Sequence, residues 1–189
     1  MKLFSLNGYM STGVNNILEA TDLSKGGFYH HFPSKEELFN EVLAEAQRIW
    51  REKTLDELNQ IDYPVDKVVQ FLTNYKDNYL KDSDMFPGGC IFVTLSVELD
   101  NQRPHLAKEV KKGFIGLRKM LKRFLDEGKE FGYLKKEVDT DSVSEMIFAS
   151  MLGASILDGV EKSPESLDAS INSLINYVHS LRSDTGKRK

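Results

Sequence analysis

The chain has 189 residues, with 25 Lys and Arg against 29 Asp and Glu for a net charge of -4, and a mean hydropathy of -0.39. That balance excludes a general polycation, so any nucleic-acid binding has to come from a local patch. A single cysteine, Cys90, excludes an intrachain disulfide framework and fits a reducing compartment. The richest apolar runs, around Cys90 to Val97 and Met146 to Leu157, fall short of the roughly 18 residues that suggest a membrane span. Met1 to Met10 lack the apolar core and small-residue cleavage site of a signal peptide. The expectation is a cytoplasmic protein without membrane contact, built as one domain or as a small module joined to a larger one.

Residues 12 to 32 have the pattern helix, turn, helix. Thr12 is expected to cap a short helix bearing Val14, Ile17 and Leu18; Leu23 packs the turn, and Ser24 caps the next helix. Val14, Ile17, Leu23, Phe28 and Phe32 would form its small core. Two short helices joined by a tight turn are the smallest unit that can push one helix into a major groove. The second helix lies in Ser24 to Lys35, a stretch with two lysines, two histidines, a tyrosine and no carboxylate. Gly26 and Gly27 are its odd feature, because each helical glycine costs about 1 kcal/mol relative to alanine. Either they end a turn, or they let the backbone come close to phosphates and base edges. Lys25 can reach a phosphate or a guanine edge, and Tyr29 and His30 can donate to phosphate oxygens, although half-buried packing competes for Tyr29. Lys35 joins a cation to the free amides of the next helix, a ready phosphate site. His30 and His31 have no third ligand nearby, so no metal is expected.

Beyond this segment the apolar spacing stays helical. Ser34 and Glu37 fit a capping box before the stripe Leu38, Phe39, Val42, Leu43, Ala46, Ile49 and Trp50. Val65, Val68, Val69, Leu72 and Tyr75 form a second stripe. Ser163 before Pro164 opens a third, Leu167, Ile171, Leu174, Ile175, Val178 and Leu181. Turn-rich segments at 62–64, 82–89, 101–104 and 132–141 separate them, and Ser183 to Lys189 reads as a frayed end. The fold class is all-α, with about nine helices and no internal repeat.

The order of these residues resembles the DNA-binding domain of TetR-family transcriptional regulators over residues 3 to 43. The match rests on Leu3-Phe4, Gly8-Tyr9, Thr12, Val14, Ile17, Ala20, Leu23-Ser24, Gly26, Tyr29, His31-Phe32, Ser34-Lys35 and Leu38. The resemblance implies a helix-turn-helix domain at 1–44, with three helices, and a helical ligand-binding and dimerisation domain at 45–189. It also implies a homodimer on a double-stranded, palindromic DNA operator, acting as a repressor released by an apolar small-molecule inducer. Family DNA contacts carry over to Thr12, Ser24, Lys25, Gly27, Tyr29, His30 and Lys35, with Gly26 and His31 in the same helix. Three departures stand out. The first helix starts several turns later than is usual, Asp22 replaces the turn glycine, and Gly27 replaces a threonine, serine or alanine. The short first helix motivates the alternative, a helical ligand- or partner-binding dimer with impaired DNA binding.

In the second domain the segment from Gly88-Gly89-Cys90-Ile91 to Leu99 resembles the start of the central helix in a subgroup of these regulators. An apolar cavity is expected there, lined by Phe71, Tyr75, Phe86, Cys90, Phe92, Val93, Phe114, Leu117 and Leu121, with ordinary core packing as the competing reading for each. Cys90 has no neighbouring cation to stabilise a thiolate, so it is expected to be buried and inert rather than a redox switch. Ala149, Gly153 and Ala154, with Ile171, Leu174, Ile175 and Val178, are assigned to the dimer interface. No catalytic constellation stands out, so neither an enzyme nor a cofactor is expected.

Overall fold

Apolar residues at helical spacing, punctuated by caps, give nine α-helices among the described residues of the computed structural model, which are 1–82 and 84–184. They are α1 (Lys2–Asn7), α2 (Val14–Thr21), α3 (Lys25–His31), α4 (Lys35–Leu55), α5 (Pro64–Asn74), α6 (Ile91–Leu99), α7 (Pro104–Glu130), α8 (Thr140–Glu161) and α9 (Pro164–Ser180). The expected caps form at three starts: the hydroxyls of Ser24, Ser34 and Ser163 accept from the amides of Gly27, Glu37 and Ser166 at 3.0, 3.1 and 3.2 Å. Each satisfies an amide that the helix itself leaves unpaired. The turn after α2 closes on Asp22 in left-handed geometry, φ 54° and ψ 31°, which aspartate tolerates better than most residues.

α1 to α3 form a small unit on the front end of α4. Phe28 and Ile17 are buried in it, and Val14 and Phe32 pack partly buried against the core. Leu23 departs from expectation: it is 39% exposed, because the turn carries it outward. α4 continues without a break past position 44 and buries Phe39, Leu43, Ala46 and Ile49. The long helices α5, α7, α8 and α9 pack on one another around the larger core.

α5 runs directly into a π-helical turn, Tyr75–Leu80. Such a turn holds an extra residue, and here it leaves Tyr75 and Tyr79 stacked in the interior with ring centroids 5.7 Å apart. Beyond α9, Ser183 is tied down, its amide donating to Tyr133 O at 3.0 Å and its hydroxyl to Gly132 O at 2.5 Å. The remainder of the expected frayed end, Thr185 to Lys189, lies outside the described residues.

Two sequence expectations change in the second domain. Thr140–Glu161 is one uninterrupted 22-residue helix, with mean hydropathy 1.4 over its most apolar 18 residues, so by length and composition it could cross a membrane. Reading continuous apolar runs missed this, because serines and glycines interrupt them. In the structure one side of α8 packs on α7 and α9 and the other side faces outward. The apolar stripe of α9 is the second change. Ile171, Leu174 and Val178, with Ala154 of α8, are buried within the protomer and belong to its own core. The faces that satisfy helical periodicity are packed against α5 and α8.

Candidate nucleic-acid interface and cavity

α3 presents a short exposed face. Phe28 anchors it from below with no exposed surface, while Lys25, Gly26, Tyr29, His30 and His31 face outward and Ser24 holds the first turn. Tyr29 is 46% exposed with its ring edge-on to Phe28 at 5.1 Å, so the phenol is braced rather than buried. A Cβ placed on Gly26 would meet nothing nearer than Ser24 Oγ at 4.0 Å, so packing within the protein does not require glycine there. At Gly27 the distance is 3.3 Å, and the Ser24 cap itself restricts the space. The absent side chain at Gly26 thus clears the outer surface of the helix. The His30 and His31 rings lie 5.3 Å apart, and the described residues hold no group of three metal-ligating side chains.

One predicted contact is reassigned. Thr12 neither caps α2 nor faces outward: Gly13 is the cap residue, with its amide donating to Asn16 Oδ1 at 2.8 Å, and Thr12 is 0% exposed. Its hydroxyl donates to Gly8 O at 2.6 Å, stapling α2 to the end of α1. Lys35, partly exposed at the start of α4, has its Nζ 4.1 Å from the centre of the Tyr9 ring. Burial there lowers its pKa, opposed by the nearby Glu98 carboxylate and reinforced by Arg103. The first turn of α4 also holds Glu36 and Glu37, which already answer the positive end of that helix.

The contact that sequence reasoning missed is Glu98. Its carboxylate, near the end of α6, accepts from the amides of Tyr9 at 2.6 Å and Met10 at 2.9 Å, in the loop between α1 and α2. Gly8 makes room for it, with φ 73° and a Cβ position only 2.5 Å from Glu98 Oε1. At the other end of α6, Gly88 N donates to Ser5 Oγ at 3.1 Å, and a Cβ on Gly88 would fall 2.0 Å from Ser5 O. The front unit therefore rests on α6 through two close backbone approaches. The available signal was a lone charged residue in the otherwise uncharged Ile91–Leu99 segment.

α6 also forms one wall of a cavity of about 430 Å³ enclosed by α4, the π turn, α6, α7 and α8. Of the predicted lining, Tyr75, Cys90, Phe92, Phe114 and Leu117 are on its walls. Phe71, Phe86 and Leu121 are buried core residues off the cavity, and Val93 is partly buried beside it. Helical spacing shows which residues turn inward, not which of them border a void. The α4 contribution was missed: Gln47, Trp50, Arg51 and Leu55 all reach the cavity. Cys90 is buried as expected, and Tyr79 donates to its sulfur at 3.5 Å. Burial raises the thiol pKa, with the Tyr79 hydrogen bond pulling the other way. The Tyr75 hydroxyl donates to Ser155 Oγ, which itself donates to Met151 O at 3.0 Å.

The sequence profile of bacterial regulatory proteins of the tetR family matches residues 1–42, and that of the tetracyclin repressor-like C-terminal domain matches residues 64–174. The HTH-type transcriptional repressor DhaR of Mycobacterium sp. (strain GP1) is 28% identical over 167 residues, covering 88% of this chain and 82% of that protein. The HTH-type transcriptional repressor NemR of Escherichia coli (strain K12) is 24% identical over 174 residues, covering 90% and 85%. A TetR transcriptional regulator from Chloroflexus aurantiacus J-10-FL superposes with a TM-score of 0.87 at 29% identity, covering 96% of this chain and 90% of that one. With a helix-turn-helix unit in front and a cavity-bearing helical body behind, the chain belongs to the TetR family and is a DNA-binding transcriptional regulator, not an enzyme.

Proposed function

We propose that this protein is a cytoplasmic, ligand-responsive repressor that binds a palindromic operator as a homodimer and is released when a small molecule enters the cavity. The DNA-binding unit is 1–44 and the ligand and dimer unit 45–189. The observation that carries this reading is α6, which has Cys90 and Phe92 on the cavity wall at its start and Glu98 holding the Tyr9 and Met10 amides near its end. A ligand that favours a shifted α6 would move the front unit, and such coupling is typically about 1 to 3 kcal/mol. In a symmetric pair the two α3 helices must reach grooves about 34 to 36 Å apart, so a small change in their separation suffices to lose the operator.

Contacts to DNA are assigned to Ser24, Lys25, Tyr29, His30 and His31, with the backbone approaching at Gly26 and Gly27. The dimer seam is assigned to the outward face of α8, where Met146, Ala149, Gly153, Ile156, Leu157 and Val160 recur at helical spacing; Val160 is 76% exposed. An exposed apolar stripe of this length is the signature of an association surface. Fluorescence anisotropy against the promoter DNA of its own gene tests the DNA assignment. Lys25→Ala should weaken binding and lower the salt slope by about one unit, and Tyr29→Ala should weaken it at every salt concentration. Unchanged affinity in both variants would remove α3 from the interface.

A further inference from the structure

The ligand's chemical class follows from where the cavity keeps its charges, granted that the cavity is the inducer site. Its inner walls are Trp50, Tyr75, Phe92, Phe114, Phe148 and Met151, a lining whose polar side-chain atoms are the Tyr75 hydroxyl and the Trp50 indole nitrogen. The Tyr75 hydroxyl is committed to Ser155, and the Cys90 sulfur is engaged by Tyr79. A ligand rich in hydroxyls or amides would leave its own polar groups unpaired inside, at a cost of several kcal/mol. The body of the ligand must therefore be apolar, and the aromatic walls suit a ring system.

The charged lining residues sit at the solvent-accessible edge. Glu109 and Lys112 of α7 neutralise each other, with Nζ 2.6 and 2.8 Å from the two carboxylate oxygens. Gln47 and Arg51 face the same cavity from α4, four residues apart and so one above the other on the helix. Among the described residues no carboxylate lies within 4.0 Å of the Arg51 guanidinium, although Arg48, one turn earlier, is held by Glu45 and Glu52. The mouth thus has one uncompensated cation, and its donors form the planar fork that matches an oxyanion.

We propose that the cavity takes an amphipathic anion, with an aromatic or otherwise apolar body among Trp50, Phe92, Phe114 and Phe148 and an acidic head on Arg51. The volume of about 430 Å³ suits a ligand of two or three rings and rules out a bulky nucleotide conjugate lying wholly inside.

The test uses two probes that share one body: 8-anilinonaphthalene-1-sulfonate, and the neutral N-phenyl-1-naphthylamine. Trp50, the single tryptophan of the chain, lies on the cavity wall, and its quenching reports occupancy. The sulfonate should bind the full-length protein about tenfold more tightly than the neutral probe. Arg51→Gln, a surface change, should erase most of that difference by weakening the sulfonate alone. Gly116→Phe should weaken both probes, because a Cβ at Gly116 opens onto free space in the lining. Equal affinity for the two probes, or an unchanged preference in Arg51→Gln, overturns the anion proposal; if both probes still quench Trp50, the cavity reading survives. If neither probe quenches Trp50, the cavity is not a ligand site and both readings fall.

Discussion

Substituting alanine at Gly8 and at Glu98, singly and together, measures how firmly the front unit is seated on α6. Glu98→Ala removes two hydrogen bonds to a charged acceptor, one of them solvent-exposed, at a cost of about 2–3 kcal/mol. Gly8 has φ 73° and ψ -179°, a conformation that only glycine adopts easily, so Gly8→Ala introduces backbone strain of about 1–3 kcal/mol. Its new Cβ would also lie 2.5 Å from Glu98 Oε1 and push the carboxylate off its two amides, adding the same 2–3 kcal/mol. In the double variant the strain is incurred once and the hydrogen bonds are lost once. The two single effects should therefore exceed the double effect by about 2–3 kcal/mol, where independent sites agree within about 0.5 kcal/mol. Urea unfolding followed by circular dichroism gives the three differences. Additivity would mean that Glu98 does not hold the loop, and the route from cavity to DNA-binding unit would have to run elsewhere.

Thr12→Val should cost about 1–2 kcal/mol in stability through the lost bond to Gly8 O, yet leave the salt slope of DNA binding unchanged, as titrations at several ionic strengths would show. Leu157→Glu should convert the proposed dimer to a monomer of 21.5 kDa in sedimentation, because it places a charge within the apolar α8 stripe. Cys90 should resist alkylation at pH 7 to 8. Burial raises its pKa above that of a free thiol, so the thiolate is scarce until the pH passes the raised value, and a thiol assay should show fast reaction only after unfolding.

The helices were legible because each apolar stripe repeats at helical spacing and because Ser24, Ser34 and Ser163 announce their own helix starts. The α3 surface was legible for a related reason: a short stretch without a carboxylate must face something, and Phe28 alone anchors it. Three-dimensional allocation was not legible. Ile171 and Ile175 are equivalent in a helical pattern, and only the neighbouring helices decide that the first is buried and the second only partly so. Thr12 shows the same gap at a single residue, since a threonine before a helix suggests a cap while its hydroxyl in fact serves the preceding turn. Glu98 and Arg51 were hidden because charge on a helix is ordinarily solvated. What sets them apart is where the loop 8–10 and the cavity mouth lie, and that depends on contacts between residues about ninety and sixty positions apart in the chain.

α8 alternates along its length between two duties. Phe148, Met151 and Leu152 wall the cavity, while Met146, Ala149, Gly153 and Leu157 look the opposite way. With that outer face as the proposed seam, one stiff rod cannot tilt toward a guest without also tilting the seam behind it. Occupancy and self-association are therefore thermodynamically linked quantities, and the half-saturation point of any effector should drift as the protein is diluted. Regulation in this chain would then depend on how many copies the cell holds as well as on how much effector it meets.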